Sequence, residues 1–212
     1  MKKYLCLLLA CLLLLAGCSS SNTNTEPTEA PTATPEPTPE PTPAPSPVPR
    51  TAIEDYEFFQ VTNTRLDVMF KYPSHWINQP GHSTICYIEP VDPGETPARL
   101  AVTSKLLTER PTERQVQKQL DDFMKLVEQQ YTNYEAGEFK NDVEAMGVTG
   151  LCQRYTARDP ETNESVSGYV LVIYARAARR VYLLHFTAPS RAFSGFMPVL
   201  ETIRDSLSST SA

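Results

Sequence analysis

Histidine is scarce in this chain of 212 residues: there are three, His75, His82 and His185. Glycine is scarce too, at eight. No Gly-x-Gly-x-x-Gly, Walker loop or Gly-x-Ser-x-Gly elbow is present, so the backbone cradles that hold phosphates or expose a serine nucleophile are missing. No Cys-x-x-Cys pair, His-Glu-x-x-His helix or calcium-loop carboxylate pattern occurs, and no metal or cofactor is expected. Basic residues are outnumbered, 19 against 25 acidic, for a net charge of −6. A chain without a basic excess has little to displace counterions from phosphates, which argues against a nucleic-acid partner.

Long apolar runs are also few. The one at the start, Tyr4 to Leu15, follows Met1-Lys2-Lys3. It fits the charged and apolar regions of a secretory signal and falls short of the about 20 residues of a membrane span. Leu15-Ala16-Gly17-Cys18 follows and resembles the bacterial lipoprotein signal, in which small residues admit a peptidase and the cysteine thiol takes a diacylglyceryl group. The expectation is a signal peptide over 1–17, lipidation at Cys18, and anchoring to the outer, extracytoplasmic face of the cell membrane. Two or more acyl chains give stable anchoring where one does not.

Ten of the 19 prolines lie between Pro27 and Pro49. Residues 18–50 otherwise hold mostly Thr, Ser, Glu and Ala, with too little apolar surface to offset the entropy of ordering. This segment is read as a disordered, Pro-rich stalk biased to polyproline II.

From residue 51 the composition changes, and 51–212 is read as one globular domain. Alternation over Phe58–Tyr72 predicts strand, ended by Pro73, with further strands over Ser83–Pro90 and Ala98–Leu107. Thr112 and Gln115 make a capping-box pattern, and Val116, Leu120, Phe123, Met124, Val127 and Tyr131 form one stripe of a helix ending near Asn133. Strands are expected over Tyr134–Lys140, Met146–Ala157, Ser165–Ala175 and Val181–Thr187. In Ser165–Ala175 both alternate sets are apolar, so that strand requires cover on both faces. A last helix is expected from Ser190, with Pro198 forcing a kink or a late start. The fold class is α+β: an α/β/α sandwich with a mainly antiparallel sheet of about six strands and two main helices covering it.

This layout resembles the PsbP-like superfamily, which includes bacterial lipoproteins of the DcrB type. The likeness rests on Phe70-Lys71-Tyr72-Pro73-Ser74-His75-Trp76, the helix Thr112–Asn133, the apolar hairpin Tyr169–Thr187 and the closing stretch Leu200–Leu207, and it spans residues 58–208. It implies a scaffold or binding subunit. No residues match the metal or partner sites ascribed to particular members, so none is carried over.

No nucleophile stands beside a base, and no catalytic residue is expected. His75 and His82, seven apart in a loop, lack metal-ligand spacing, and His185 shares parity with the core positions Val181 and Leu183. Trp76, His75 and His82 are the candidate lining of a ligand pocket, against the plainer reading of Trp76 as a core plug. Cys86 and Cys152 are either separate thiols or a disulfide. Arg176, Arg179 and Arg180 form a basic cluster at a hairpin tip that could meet an acidic partner or simply be solvated. The expected function is a non-enzymatic binding or scaffold module for an envelope or membrane protein complex. The alternative is a lipoprotein that binds a small molecule or cell-wall fragment near Trp76.

Overall fold

The computed structural model describes residues 53–81 and 83–211. The segments read above as signal peptide and stalk, Cys18 between them, and His82 lie outside them. A 3-10 turn over Ile53–Asp55 leads into nine strands and two helices. The strands are β1 (Phe58–Asn63), β2 (Val68–Pro73), β3 (Ile77–Pro80), β4 (Ile85–Ile88) and β5 (Arg99–Leu106), then β6 (Thr132–Ala145), β7 (Val148–Arg158), β8 (Ser165–Ala175) and β9 (Arg180–Pro189). Helix α1 (Glu113–Gln130) lies between β5 and β6, and α2 (Met197–Asp205) follows β9.

Seven strands form one antiparallel sheet in the order β3-β4-β5-β9-β8-β7-β6, and β1 pairs with β2 in a separate two-stranded sheet. The stretch expected as continuous strand over Phe58–Tyr72 is therefore a hairpin. Its turn carries Asp67 at φ +52°, and Asn63 Oδ1 accepts from Leu66 N at 2.9 Å. Those polar side chains stabilise a reversal without glycine or proline.

Both faces of the sheet are used, as the double alternation in β8 requires. Tyr169, Leu171 and Ile173 face a core built with the β1–β2 hairpin and α2, including Phe70, Phe186, Phe196 and Ile203. Val170 and Val172 face the other way, toward Leu120 and Val127 of α1. Helix α1 starts as its capping box dictates: Thr112 N donates to Gln115 Oε1 at 2.7 Å, and Gln115 N donates to Thr112 Oγ1 at 3.3 Å.

Helix α2 starts later than the Ser190 cap suggested. Residues 190–196 form successive turns that still bury Phe196, and Pro198 stands in the first helical turn, where its missing N–H costs nothing. Strand β6 ends the sheet and is bulged at three places along its pairing with β7. The β6–β7 hairpin closes on Met146 and Gly147, both with positive φ, at +55° and +69°. That is the handedness a two-residue turn between antiparallel strands favours.

The end of the described chain is clasped to the hairpin. Met69 N donates to Ser208 O at 2.8 Å, and Ser208 N returns a bond to Met69 O at 2.9 Å. Beyond it, Ser209, Thr210 and Ser211 all donate hydroxyls to the carboxylate of Asp67, at 2.8, 2.7 and 2.7 Å.

Candidate functional site

Helix α1 does not close tightly over β6, β7 and β8. Its amino-terminal half leaves a groove of about 700 Å³ against those strands. The helix side supplies Arg114, Val116 and Gln117, with Arg110 just ahead of the cap, and the sheet side supplies Phe139, Leu151, Tyr174 and Arg176. Phe139 is 46% exposed although large and apolar. A second depression of about 570 Å³ shares Tyr174 and Arg176 with the groove, but Met146, Val148 and Ala175 in its wall pack with the core on the opposite face of the sheet.

The charge in the groove is unbalanced. Arg110, Arg114 and Arg176 make no ion pair among the described residues, and Glu113 is the one acidic side chain in the lining. Guanidinium groups present planar, paired donors suited to carboxylate or phosphate. They stand beside the α1 amino terminus, whose backbone dipole adds to the same sign.

The basic cluster read from the sequence is thus divided by the fold. Arg176 lines the groove. Arg179 turns the β8–β9 hairpin at φ +50°, and its carbonyl accepts from Leu107 N at 2.9 Å. Arg180 reaches back to Asp67, Nε to Oδ2 at 3.7 Å, and donates to Ser104 Oγ at 3.1 Å. Burial alone would raise the Asp67 carboxyl, but hydrogen bonds from Ser211, Thr210, Ser209 and Tyr182 hold it well below the usual carboxylate range.

Further along the α1 side, Tyr155 Oη lies 2.7 Å from His185 Nε2. Tyr131 packs against Tyr155 with ring centres 6.0 Å apart. Phe123 packs edge-on against the imidazole at 5.2 Å between ring centres. Burial pulls His185 down from 6.5 to about 4 and pushes Tyr155 well above its ordinary value. A neutral imidazole against a strongly bound phenol is a satisfied polar pair within a core, the role its strand parity suggested. Gly168 makes room for it, because the Tyr155 ring lies where a Cβ at Gly168 would stand.

Trp76 and His75 lie on the other face. Trp76 is 4% exposed, stacks near-parallel on Phe186 at 6.3 Å and meets Phe196 edge-on. His75 packs edge-on against Tyr56 at 4.3 Å; burial lowers it, and nearby Glu89 opposes that shift. Neither lines the groove or the depression beside it. Cys86 and Cys152 are free thiols and do not form the disulfide considered from the sequence. Cys86, on β4, shares a row with Ala101 and His185, while Cys152, on β7, is buried on the opposite face. Four strand steps at about 4.8 Å separate them by roughly 19 Å, far beyond the about 7 Å a disulfide allows between Cα atoms.

Sequence reasoning missed Arg110, Arg114 and Phe139 as partners of Arg176, since only the fold joins residues so far apart. It also missed Arg99, whose buried Nε has no hydrogen-bond partner among the described residues. No group of His, Cys, Asp or Glu side chains able to hold a metal occurs among the described residues, and no described helix is long and apolar enough to cross a membrane.

No family model matches the chain, and no curated protein matches it. Solved structures do. Cyanobacterial PsbP (CyanoP) from Synechocystis sp. PCC 6803 is similar at a TM-score of 0.53 and 12% identity, over 72% of this chain and 92% of that one. The Ran-binding protein Mog1p of Saccharomyces cerevisiae has a TM-score of 0.49 at 12% identity, covering 72% and 95%. LpqN, involved in cell envelope biogenesis of Mycobacterium tuberculosis, has a TM-score of 0.44 at 15% identity, covering 76% and 98%. The CyanoP likeness places the domain in the PsbP-like fold: two helices on a mainly antiparallel sheet. A shared fold does not carry a function with it.

Proposed function

We propose that this protein is a membrane-anchored, extracytoplasmic lipoprotein whose PsbP-like domain acts as a non-enzymatic binding or scaffold module for an envelope or membrane protein complex. In this reading residues 1–17 are the signal peptide, lipid on Cys18 holds the chain to the membrane, and 18–50 is a stalk carrying the domain 51–212. The observation that carries the binding role is the α1 groove, where three arginines without ion-pair partners among the described residues share the lining with an exposed Phe139. Unpaired guanidinium groups beside an exposed aromatic ring are the composition of a recognition surface, in which arginine and aromatic residues supply most of the affinity.

The test uses the full chain in its own cells, with a photo-crosslinking phenylalanine analogue at position 139. The expected result is a discrete protein adduct in the membrane fraction, and release of the protein from that fraction on Cys18→Ser. Absence of any protein adduct overturns the binding role. A Cys18→Ser product that is still lipid-labelled and membrane-bound overturns the anchor.

A further inference from the structure

We infer that the groove takes an extended acidic peptide segment, its carboxylates on Arg110, Arg114 and Arg176 and one aliphatic side chain on the apolar lining of Phe139 and Leu151. This rests on the groove being a protein-binding site and names the partner's chemistry.

Three features point to a peptide. The guanidinium groups stand on opposite walls, Arg110 and Arg114 by the helix and Arg176 on the sheet. Carboxylates spaced along a chain can meet donors on both walls. Next, Val116, Phe139 and Leu151 in the same lining give the groove an apolar part. A charged stretch followed by an apolar anchor fits both parts. Last, Gln117, Asn141 and Thr149 in the lining offer uncharged hydrogen-bonding groups to a peptide backbone.

The surroundings disfavour a flat anionic bilayer. Glu109 and Glu113 are exposed beside the groove on the helix side, as are Asp142 and Glu144 on β6. A planar anionic surface would meet these carboxylates together with the arginines. A narrow chain lying in the groove sees the arginines at close range and the rim screened by salt. Edge pairing is disfavoured as well, because the bulges in β6 interrupt the ladder a new strand would need.

The experiment is fluorescence anisotropy with the full-length protein purified in detergent. One probe is a labelled nine-residue peptide of alternating glutamate and proline ending in leucine; the other carries lysine for glutamate. The glutamate peptide is expected to bind and to weaken as salt rises, and the lysine peptide is expected not to bind. Arg114→Glu and Arg176→Glu should each weaken binding about five- to tenfold or more. Lys71→Glu, the same charge change on the β1–β2 hairpin, should leave it unchanged. Intact Trp76 emission verifies the fold of each variant.

Failure of the glutamate peptide to bind at millimolar concentration, equal binding of the lysine peptide, or indifference to both arginine reversals overturns the inference. So does preferential binding of phosphatidylglycerol vesicles or inorganic phosphate at the same arginines. If the position-139 adduct still forms while the peptide fails, the inference falls and the binding module stands. If neither is seen, both fall.

Discussion

The phenol of Tyr155 and the imidazole of His185, 2.7 Å apart, are reached from neighbouring strands on either side of β8, and Gly168 of β8 leaves the space between them for the tyrosine ring. Each satisfies the other's polar group beneath α1, where an unpaired hydroxyl would cost about 1–3 kcal/mol. Stability, acid response and the choice of glycine at position 168 all meet in this contact.

The acid response follows from the direction of the histidine shift. Burial holds His185 at about 4, while the unfolded chain titrates near 6.5. Between those values the unfolded state binds a proton that the native state does not, so stability falls as pH falls, by up to about 1.4 kcal/mol per pH unit. Urea midpoints measured from pH 7 to 4.5 should decline. The decline should be shallower in His185→Gln, which keeps a hydrogen-bonding group for Tyr155. The remaining slope belongs in part to His75, which burial shifts in the same direction. An unaltered slope in His185→Gln would refute this assignment.

Gly168→Ala should be severe. The added methyl falls within the Tyr155 ring, so the ring must leave its place and the contact with His185 breaks. The expected loss is about 3 kcal/mol, by overpacking and a stranded polar group together. The double variant Tyr155→Leu with Gly168→Ala should be less destabilised than the sum of the two single changes, because they share one cause. Strict additivity in thermal or urea unfolding would show the cause is elsewhere.

Asp67→Asn isolates the charge of the clasp, since asparagine tolerates the left-handed backbone at φ +52°. The variant keeps one carbonyl oxygen where the carboxylate receives Ser209, Thr210, Ser211 and Tyr182, and it loses the attraction to Arg180. A loss of about 1–3 kcal/mol is expected at pH 7. The native carboxyl lies below its usual value of 3.8, so its contribution is present above that pH and is lost as pH falls further. Wild type and variant should therefore converge in stability at strongly acid pH; a gap that persists there would contradict the charge argument.

The two thiols should behave separately. Reduction should leave the mass of the protein unchanged, and native labelling should be slow at both sites. Burial raises both thiols, with Arg99 partly opposing the shift at Cys86 and Tyr169 partly opposing it at Cys152. Cys86, less deeply buried, should react first. A gain of about two daltons on reduction would mean the pair had found each other after all.

Much of the fold was legible because the local signals were redundant. Thr112 and Gln115 marked the start of α1 by a chemistry the structure reproduces, and the two apolar parities of β8 revealed a sheet covered on both sides. The hairpin β1–β2 was not legible, since Leu66, Val68 and Phe70 start a second alternation soon after Phe59 and Val61 and neither glycine nor proline marks the turn between them. Strand β3 was too short, at four residues, to show a period. At the far end, Phe193 and Phe196 extend the apolar stripe of α2 into turns that bury Phe196, and Phe193 in part, without a helix. The candidate site was the least legible part. Arg176 drew notice as one of three neighbours, but its partners in the groove come from a different element, and nothing local links Arg110 or Arg114 to it.

The β1–β2 hairpin shares no ladder with the large sheet. Its second strand is fastened through Met69 and Ser208 to the end of the described chain, whereas its first is held across the hairpin. A mechanical pull arriving from the amino-terminal side must first draw Tyr56 from the core and break its hydrogen bond to Glu89, and then meets the Phe58–Pro73 pair and each rung in turn. Because the hairpin has no strand pairing with the seven-stranded sheet, its first strand can open in this way without breaking a rung of that sheet.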